Sequence, residues 1–215
     1  FSGQNNIYSI IVWFRLNQYP DESQEVIWQH RAHWQDKFMY ITTNSGLEVN
    51  DRNGGTRVYF NHDISVDTWY HAVFTANDDS LKLYINNLKV GSAERTFNTD
   101  WDASYIGSSI GGGGFGTYGF SDVNISEMSV WNTALSESEI QSYMVTSPTA
   151  DEEGLVSYWN FNEGESTTLI DQTSNGNNGT INGATWSEDA PATSTGGGDV
   201  DYQNVADSLI ISWSG

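Results

Sequence analysis

The chain has 215 residues, 37% of them hydrophobic and 13% aromatic, with no cysteine and 28 acidic against 8 basic side chains for a formal charge of -20. Zero cysteine excludes a disulfide framework and a thiolate metal site. The charge repels phosphate backbones and anionic headgroups, so nucleic acid and membrane surfaces are poor partners; the same excess reads either as plain solubility or as an attraction for hard divalent cations.

The length suits one large β-sandwich. No apolar run reaches a membrane span, since Ile7–Phe14 is interrupted by Ser9 and followed by Arg15, and no membrane insertion is expected. The chain opens at Phe1 on a strand-like run with no signal segment, as a processed product or an excised fragment would.

Short strand-like segments divided by turn residues follow one another, the pattern of an all-β, antiparallel two-sheet sandwich. The predicted strands are Ile7–Leu16, Glu25–Gln29, Phe38–Thr43, Leu47–Asn50, Arg57–Phe60, Trp69–Ala76, Leu81–Ile85, Leu88–Gly91, Ser104–Ile106 and Asn124–Trp131. Trp69, His71, Val73 and Thr75 alternate with Tyr70, Ala72, Phe74 and Ala76, and Asp78-Asp79 turns the chain. Leu81, Leu83 and Ile85 then alternate with Lys82 and Tyr84 before a tight turn at Asn86-Asn87. The core is expected to draw on Trp13, Trp69, Val73, Leu83, Val130, Trp159 and Phe161.

One short helix is predicted. Ser136 with Glu139 three residues on is a capping box, Leu135, Ile140 and Tyr143 form its inner side, and the helix runs to about Met144, short of Pro148. Beyond it, Val156–Phe161, Thr168–Ile170 and Thr180–Trp186 read as strands that complete the sandwich, split by the Asn- and Gly-rich loop Asp171–Gly179. The expected organisation is a sandwich over 1–187, a Thr/Ser/Gly linker over 188–203, and over 204–215 the start of a following domain or a tail strand, Leu209–Trp213.

Four stretches carry a family resemblance. They are Tyr8–Phe14, Asp67–Val73 with Leu81–Asn86, Phe120–Ile140, and Gly154–Gly164 with Asp171–Trp186. In that order they resemble the laminin-G-like domains of bacterial extracellular proteins, which implies a concanavalin A-like jelly roll, secreted or at the cell surface. The family commonly has an Asp where this chain has Ser126, so a role carried by that side chain is in doubt.

Glycosidases and polysaccharide lyases share this architecture, so fold alone does not settle catalysis. The strand-borne Glu-x-Asp-x-x-Glu signature of laminarinase-like and agarase-like enzymes is absent, and Asp100 and Asp102 around Trp101 belong to no triad. His30 and His33, in a segment read as a loop, have only Asp36 as a third metal ligand and read better as solvated or sugar-contacting. Calcium is expected at the Asp171 loop, through Asp171, Ser174, Asn175 and Asn177, with two Asn-Gly turns as the plain alternative; related sandwiches often carry such an ion.

Sugar binding is expected where aromatics stand among planar polar groups. The candidates are His30, Arg31, His33 and Trp34, then Trp101, then Phe115 and Tyr118 in the Gly111–Gly116 loop. Arg31, Arg52 and Arg57 could serve a uronate or sulfated sugar, but against the global charge a neutral glycan is expected. The resulting reading is a non-catalytic carbohydrate-binding, lectin-like or adhesin module of a larger extracellular protein, whose partners are a polysaccharide and neighbouring domains of its chain. A structural or protein-binding spacer is the alternative, and a glycoside hydrolase or polysaccharide lyase stands third.

Overall fold

A computed structural model describes residues 7–20, 25–32, 35–41, 46–53, 56–94, 103–106, 122–181, 183–191, 204–206 and 209–211. Its first strands are β1 (Tyr8–Leu16), β2 (Glu25–Ala32), β3 (Gln35–Ile41), β4 (Gly46–Asn53) and β5 (Thr56–Asp63). They are followed by β6 (Trp69–Ala76), β7 (Ser80–Ile85), β8 (Leu88–Glu94), β9 (Ala103–Ile106) and β10 (Val123–Trp131). Helix α1 (Glu137–Tyr143) precedes β11 (Leu155–Trp159), β12 (Thr168–Leu169), β13 (Gly179–Ile181), β14 (Thr185–Ser187), β15 (Asn204–Ala206) and β16 (Leu209–Ile211). A six-stranded sheet runs β11-β10-β1-β6-β7-β8, an eight-stranded sheet runs β12-β13-β16-β9-β2-β3-β4-β5, and β14 and β15 form a small ribbon. This is the expected antiparallel sandwich with one short helix.

Strand alternation decides which residues meet between the sheets. Ile10, Val12, Phe14 and Leu16 of β1, Ala72, Phe74 and Ala76 of β6, and Leu81, Leu83 and Ile85 of β7 pack with Trp28, Met39, Ile41, Leu47 and Val49 of the other sheet. The opposite face of the six-stranded sheet is also covered: Ile11, Val73, Tyr84, Trp131 and Tyr158 form a second cluster with Leu135 and Ile140, and Tyr143 packs on it. The core expectation holds for Leu83, Val130, Trp159 and Phe161 in the main core and for the buried Val73 and Trp13 on the other face of the sheet, and needs correction for Trp69. Val73 belongs to the second cluster, Trp13 is buried against His71 at a ring separation of 5.0 Å, and Trp69 is only partly buried. All three have the parity that points away from the main core.

Local chemistry sets the connections. Asn86 and Asn87 both adopt positive φ, 48° and 65°, giving the two-residue turn that matches strand twist between β7 and β8. In the preceding turn Asn77 Oδ1 accepts from the N–H groups of Asp79 and Ser80 at 3.0 and 2.7 Å, so the Asn before the two aspartates organises it. At α1 the capping box forms as expected, with Ser136 N–H donating to Glu139 Oε2 at 2.7 Å and Glu139 N–H donating back to Ser136 Oγ at 3.3 Å. Where the sheet edges meet, Gly91 lies so close to Phe60 that a Cβ would enter the ring.

The segments after α1 belong to the same sandwich. β11 pairs with β10, and Trp159, Phe161 and Leu169 are fully buried in the main core. Phe161 takes a left-handed φ of 54°, a conformation that costs roughly 1–2 kcal/mol; burying its ring returns about 2–3 kcal/mol, so packing prevails. The terminal run read as the opening of another domain or a tail strand contributes β16, which inserts between β13 and β9, while β15 pairs with β14.

Because Tyr158, Trp159 and Phe161 would otherwise leave apolar surface in water, a chain ending at Ala150 is expected to lose cooperative unfolding. Calorimetry checks it, and a sharp endotherm in the truncated chain would count against the shared core.

Candidate functional site

The sequence candidates for saccharide contact fall in two groups. His33, Trp34, Trp101, Phe115 and Tyr118 lie outside the described residues. His30 and Arg31 were expected in a loop, and instead belong to β2, which continues to Ala32 because their backbone pairs on both sides, with β3 and with β9. Arg31 pairs with Ala103 and with Asp36, and His30 with Ser104 and Lys37. His30 and Asp36 therefore have opposite strand parity, which separates the histidine from its proposed third ligand.

Register reveals a constellation that the linear reading missed. Trp28 stands opposite Ile106 and Met39, Met39 opposite Val49, and Val49 opposite Phe60. Trp28, Met39 and Val49 are fully buried in the core, which fixes the inward parity of these strands. One residue along, the positions of outward parity form a row across five strands: Tyr105, Gln29, Phe38, Asn50 and Tyr59. Aromatic and amide residue types alternate along it. Two residues further the next row reads Ala103, Arg31, Asp36, Arg52 and Arg57. The signal was the continuous apolar run Phe38–Ile41, where Phe38 and Tyr40 share the parity opposite to Met39 and Ile41.

The Asp171 loop has a different occupation from the expected one. Asp171 is 5% exposed; its Oδ1 accepts from the N–H groups of Tyr158 and Thr173, each at 3.0 Å, and its Oδ2 from Thr173 Oγ1 and Asn177 N–H, each at 2.9 Å. Asn175 Nδ2 donates to Val156 O at 2.9 Å and Asn177 Nδ2 to Ser157 Oγ at 2.8 Å, while Asn177 O accepts from Trp159 Nε1 at 3.0 Å. The carboxylate is saturated by protein donors, and the amides are turned to strand β11. A calcium ion at Asp171, Asn175 and Asn177 would have to compete with these bonds. Among the described residues no group of three or more His, Asp or Glu is placed to hold a metal.

The covered face of the six-stranded sheet holds the most perturbed titratable groups. Glu127 is 5% exposed and accepts from Ser147 Oγ at 2.6 Å and Tyr158 Oη at 3.2 Å; burial pushes its carboxyl from 4.5 up to about 6 against those two bonds. His71 has no exposed surface, neither ring nitrogen has a partner, and burial lowers it from 6.5 to about 4. Ser126, standing where the family commonly has Asp, is the extra residue at the bulge opposite Trp13 and Phe14. Its buried Oγ has no partner, and neither have Arg15 Nε and Trp69 Nε1, donors on residues that are cross-strand neighbours.

No helix of the described residues is long and apolar enough to cross a membrane. Residues 1–141 match the family model described as the concanavalin A-like lectin/glucanases superfamily. Among solved structures, a proposed carbohydrate binding protein of Bacteroides ovatus is similar over 100% of this chain and 56% of its own, at 16% identity and TM-score 0.62. This chain thus spans little more than half of that protein. Trypanosoma rangeli sialidase is similar over 65% of this chain and 23% of its own, at 17% identity and TM-score 0.51. Botulinum neurotoxin type C is similar over 64% of this chain and 35% of its own, at 14% identity and TM-score 0.51. No curated protein matches the chain.

Two outcomes are expected from this geometry. Chelation with EDTA should leave the melting temperature unmoved, while Asp171→Asn, which sets an amide against N–H donors, should cost about 1–3 kcal/mol with or without calcium; a calcium-dependent rise in melting temperature that this variant loses would restore the ion. For Glu127, whose folded value lies above its unfolded one, the folded state binds the proton more tightly. Its contribution is full below about pH 4.5 and is lost as pH rises to about 6, an effect of about 2 kcal/mol. His71 works in the opposite sense, its contribution being lost as pH falls from 6.5 to about 4. The stability difference between Glu127→Gln and wild type isolates the carboxyl, and should grow in the variant's favour from pH 4.5 to 6; a flat difference would contradict the assignment.

Proposed function

The chain belongs to the concanavalin A-like lectin/glucanases superfamily, and from that premise we propose that it is a non-catalytic carbohydrate-binding module, extracellular or at the cell surface, with its glycan on the outward face of the eight-stranded sheet. The observation that carries the reading is the row Tyr105, Gln29, Phe38, Asn50 and Tyr59. Neighbouring strands lie about 4.8 Å apart, so its aromatic positions, on every second strand, recur at about 10 Å. That is close to the length of two hexose rings in line. Aromatic rings suit the apolar C–H face of a sugar, and the intervening amides both donate to and accept from its hydroxyls.

The similar structures point the same way by what they bind: the sialidase was obtained with sialic acid and the neurotoxin interacts with two ganglioside molecules. For the non-catalytic part of the reading, the support among the described residues is the one carboxyl raised above its ordinary value. Glu127, with the elevated value a general acid needs, is sealed on the other sheet under Ser147 and Tyr158. Its shift is a consequence of burial and leaves no access for a glycosidic oxygen.

A glycan array followed by titration tests the proposal. Phe38→Ala and Tyr59→Ala should each weaken the best ligand tenfold or more, the equivalent of about 1.4 kcal/mol, with unchanged melting cooperativity. A protein that binds no glycan at millimolar concentration, or variants that bind as well as wild type, would favour the spacer reading instead.

A further inference from the structure

The second outward row bears on the sign of the ligand. Of the chain's 8 Lys and Arg residues, Arg31, Arg52 and Arg57 stand in one cross-strand row, interrupted only by Asp36. Arg52 and Arg57 are direct register partners in the β4–β5 hairpin. Like charges directly opposite each other destabilise a strand pair, and Asp36, in register with both Arg31 and Arg52, offsets part of that cost. By residue type the row holds three arginines against one aspartate. It lies two residues, about 7 Å, from the aromatic and amide row, the distance at which a substituent on a ring held by that row would stand. The nearest acid of the same parity on β4 is Glu48, four residues from Arg52 and about 13 Å along the strand.

Resting on the reading of this face as a glycan platform, we propose that the glycan it takes is anionic, its carboxylate or sulfate groups meeting Arg31, Arg52 and Arg57. The guanidinium fork matches both oxyanions with paired N–H···O bonds, which a lysine cannot do. The global charge of -20 does not overrule the row, because charges farther off than a Debye length of about 8 Å are largely screened at physiological ionic strength. Contact pairs form well inside that length. This replaces the neutral glycan expected from net charge alone.

The test titrates the full chain with alginate as a polyuronate, a sulfated galactan, and laminarin as a neutral glucan, at one ionic strength. At least one anionic polymer should bind tenfold or more tightly than laminarin, and which one does so separates carboxylate from sulfate recognition. Arg52→Gln should lose that preference by tenfold or more, and Arg52→Lys should recover only part of it. Without polymer, Arg52→Gln should melt close to wild type, since it removes a like-charge neighbour, Arg57, together with an opposite-charge one, Asp36; a variant that melts much lower would mark the arginine as structural and overturn the proposal. Laminarin binding as tightly as both anionic polymers, with Phe38→Ala still abolishing it, would overturn the anionic inference and leave the glycan reading standing. Binding of none of the three would overturn both.

Discussion

Every residue of β1 from Tyr8 to Phe14 is buried, and a strand covered on both faces admits a polar group only where a partner waits for it. Ser9 shows how the chain meets the condition: its Oγ donates to Thr133 O at 2.8 Å and accepts from Leu135 N–H at 2.9 Å. That pair of bonds fastens the approach to α1 onto β1. Trp131 Nε1 is satisfied in the same manner by Ser129 Oγ at 2.9 Å. The short helix is therefore less an ornament of the sandwich than a second layer over Ile11, Val73, Trp131 and Tyr158 of the six-stranded sheet.

Much of this was legible because local chemistry and global fold agree. Asn86-Asn87 specifies a turn that only residues tolerant of positive φ make, and Ser136 with Glu139 specifies a helix start; both are decided within four residues. The alternation through Trp69–Ala76 was equally plain, yet its parity was not. Both faces of β6 are buried, so hydrophobicity alone gave no preference for Val73 over Phe74, and Trp69 was assigned inward where Tyr70 lies. Only the helix, which covers one face, explains why both sets are apolar.

The candidate site was less legible for a different physical reason. His30 and Arg31 look like loop residues because nothing apolar flanks them, but strand identity at a sheet centre is set by pairing on both sides, and β3 and β9 supply it. Phe38, Tyr59 and Tyr105 each read as an ordinary strand aromatic. Their common row is a property of five strands drawn from residues far apart in the chain, and no local pattern encodes it. The loop at Asp171 is ambiguous for the converse reason: oxygen-rich composition is shared by ion sites and by self-bonded turns, and the donors around the carboxylate appear only in the fold.

The two sheets also treat charge in opposite ways. In the six-stranded sheet, desolvation exceeds any local compensation, so Glu127 and His71 are driven toward their neutral forms and become structural. Arg15 sits on the same outer parity near the end of β1, where Asp189 lies 2.9 Å from its guanidinium. In the eight-stranded sheet, Arg31 and Arg52 flank Asp36 while Arg52 faces Arg57 without an intervening acid. A guanidinium cannot respond by shedding its proton as a buried histidine does. Asp36, in register with both Arg31 and Arg52, offsets part of that repulsion, and solvent, salt or an anion brought from outside can relieve the rest.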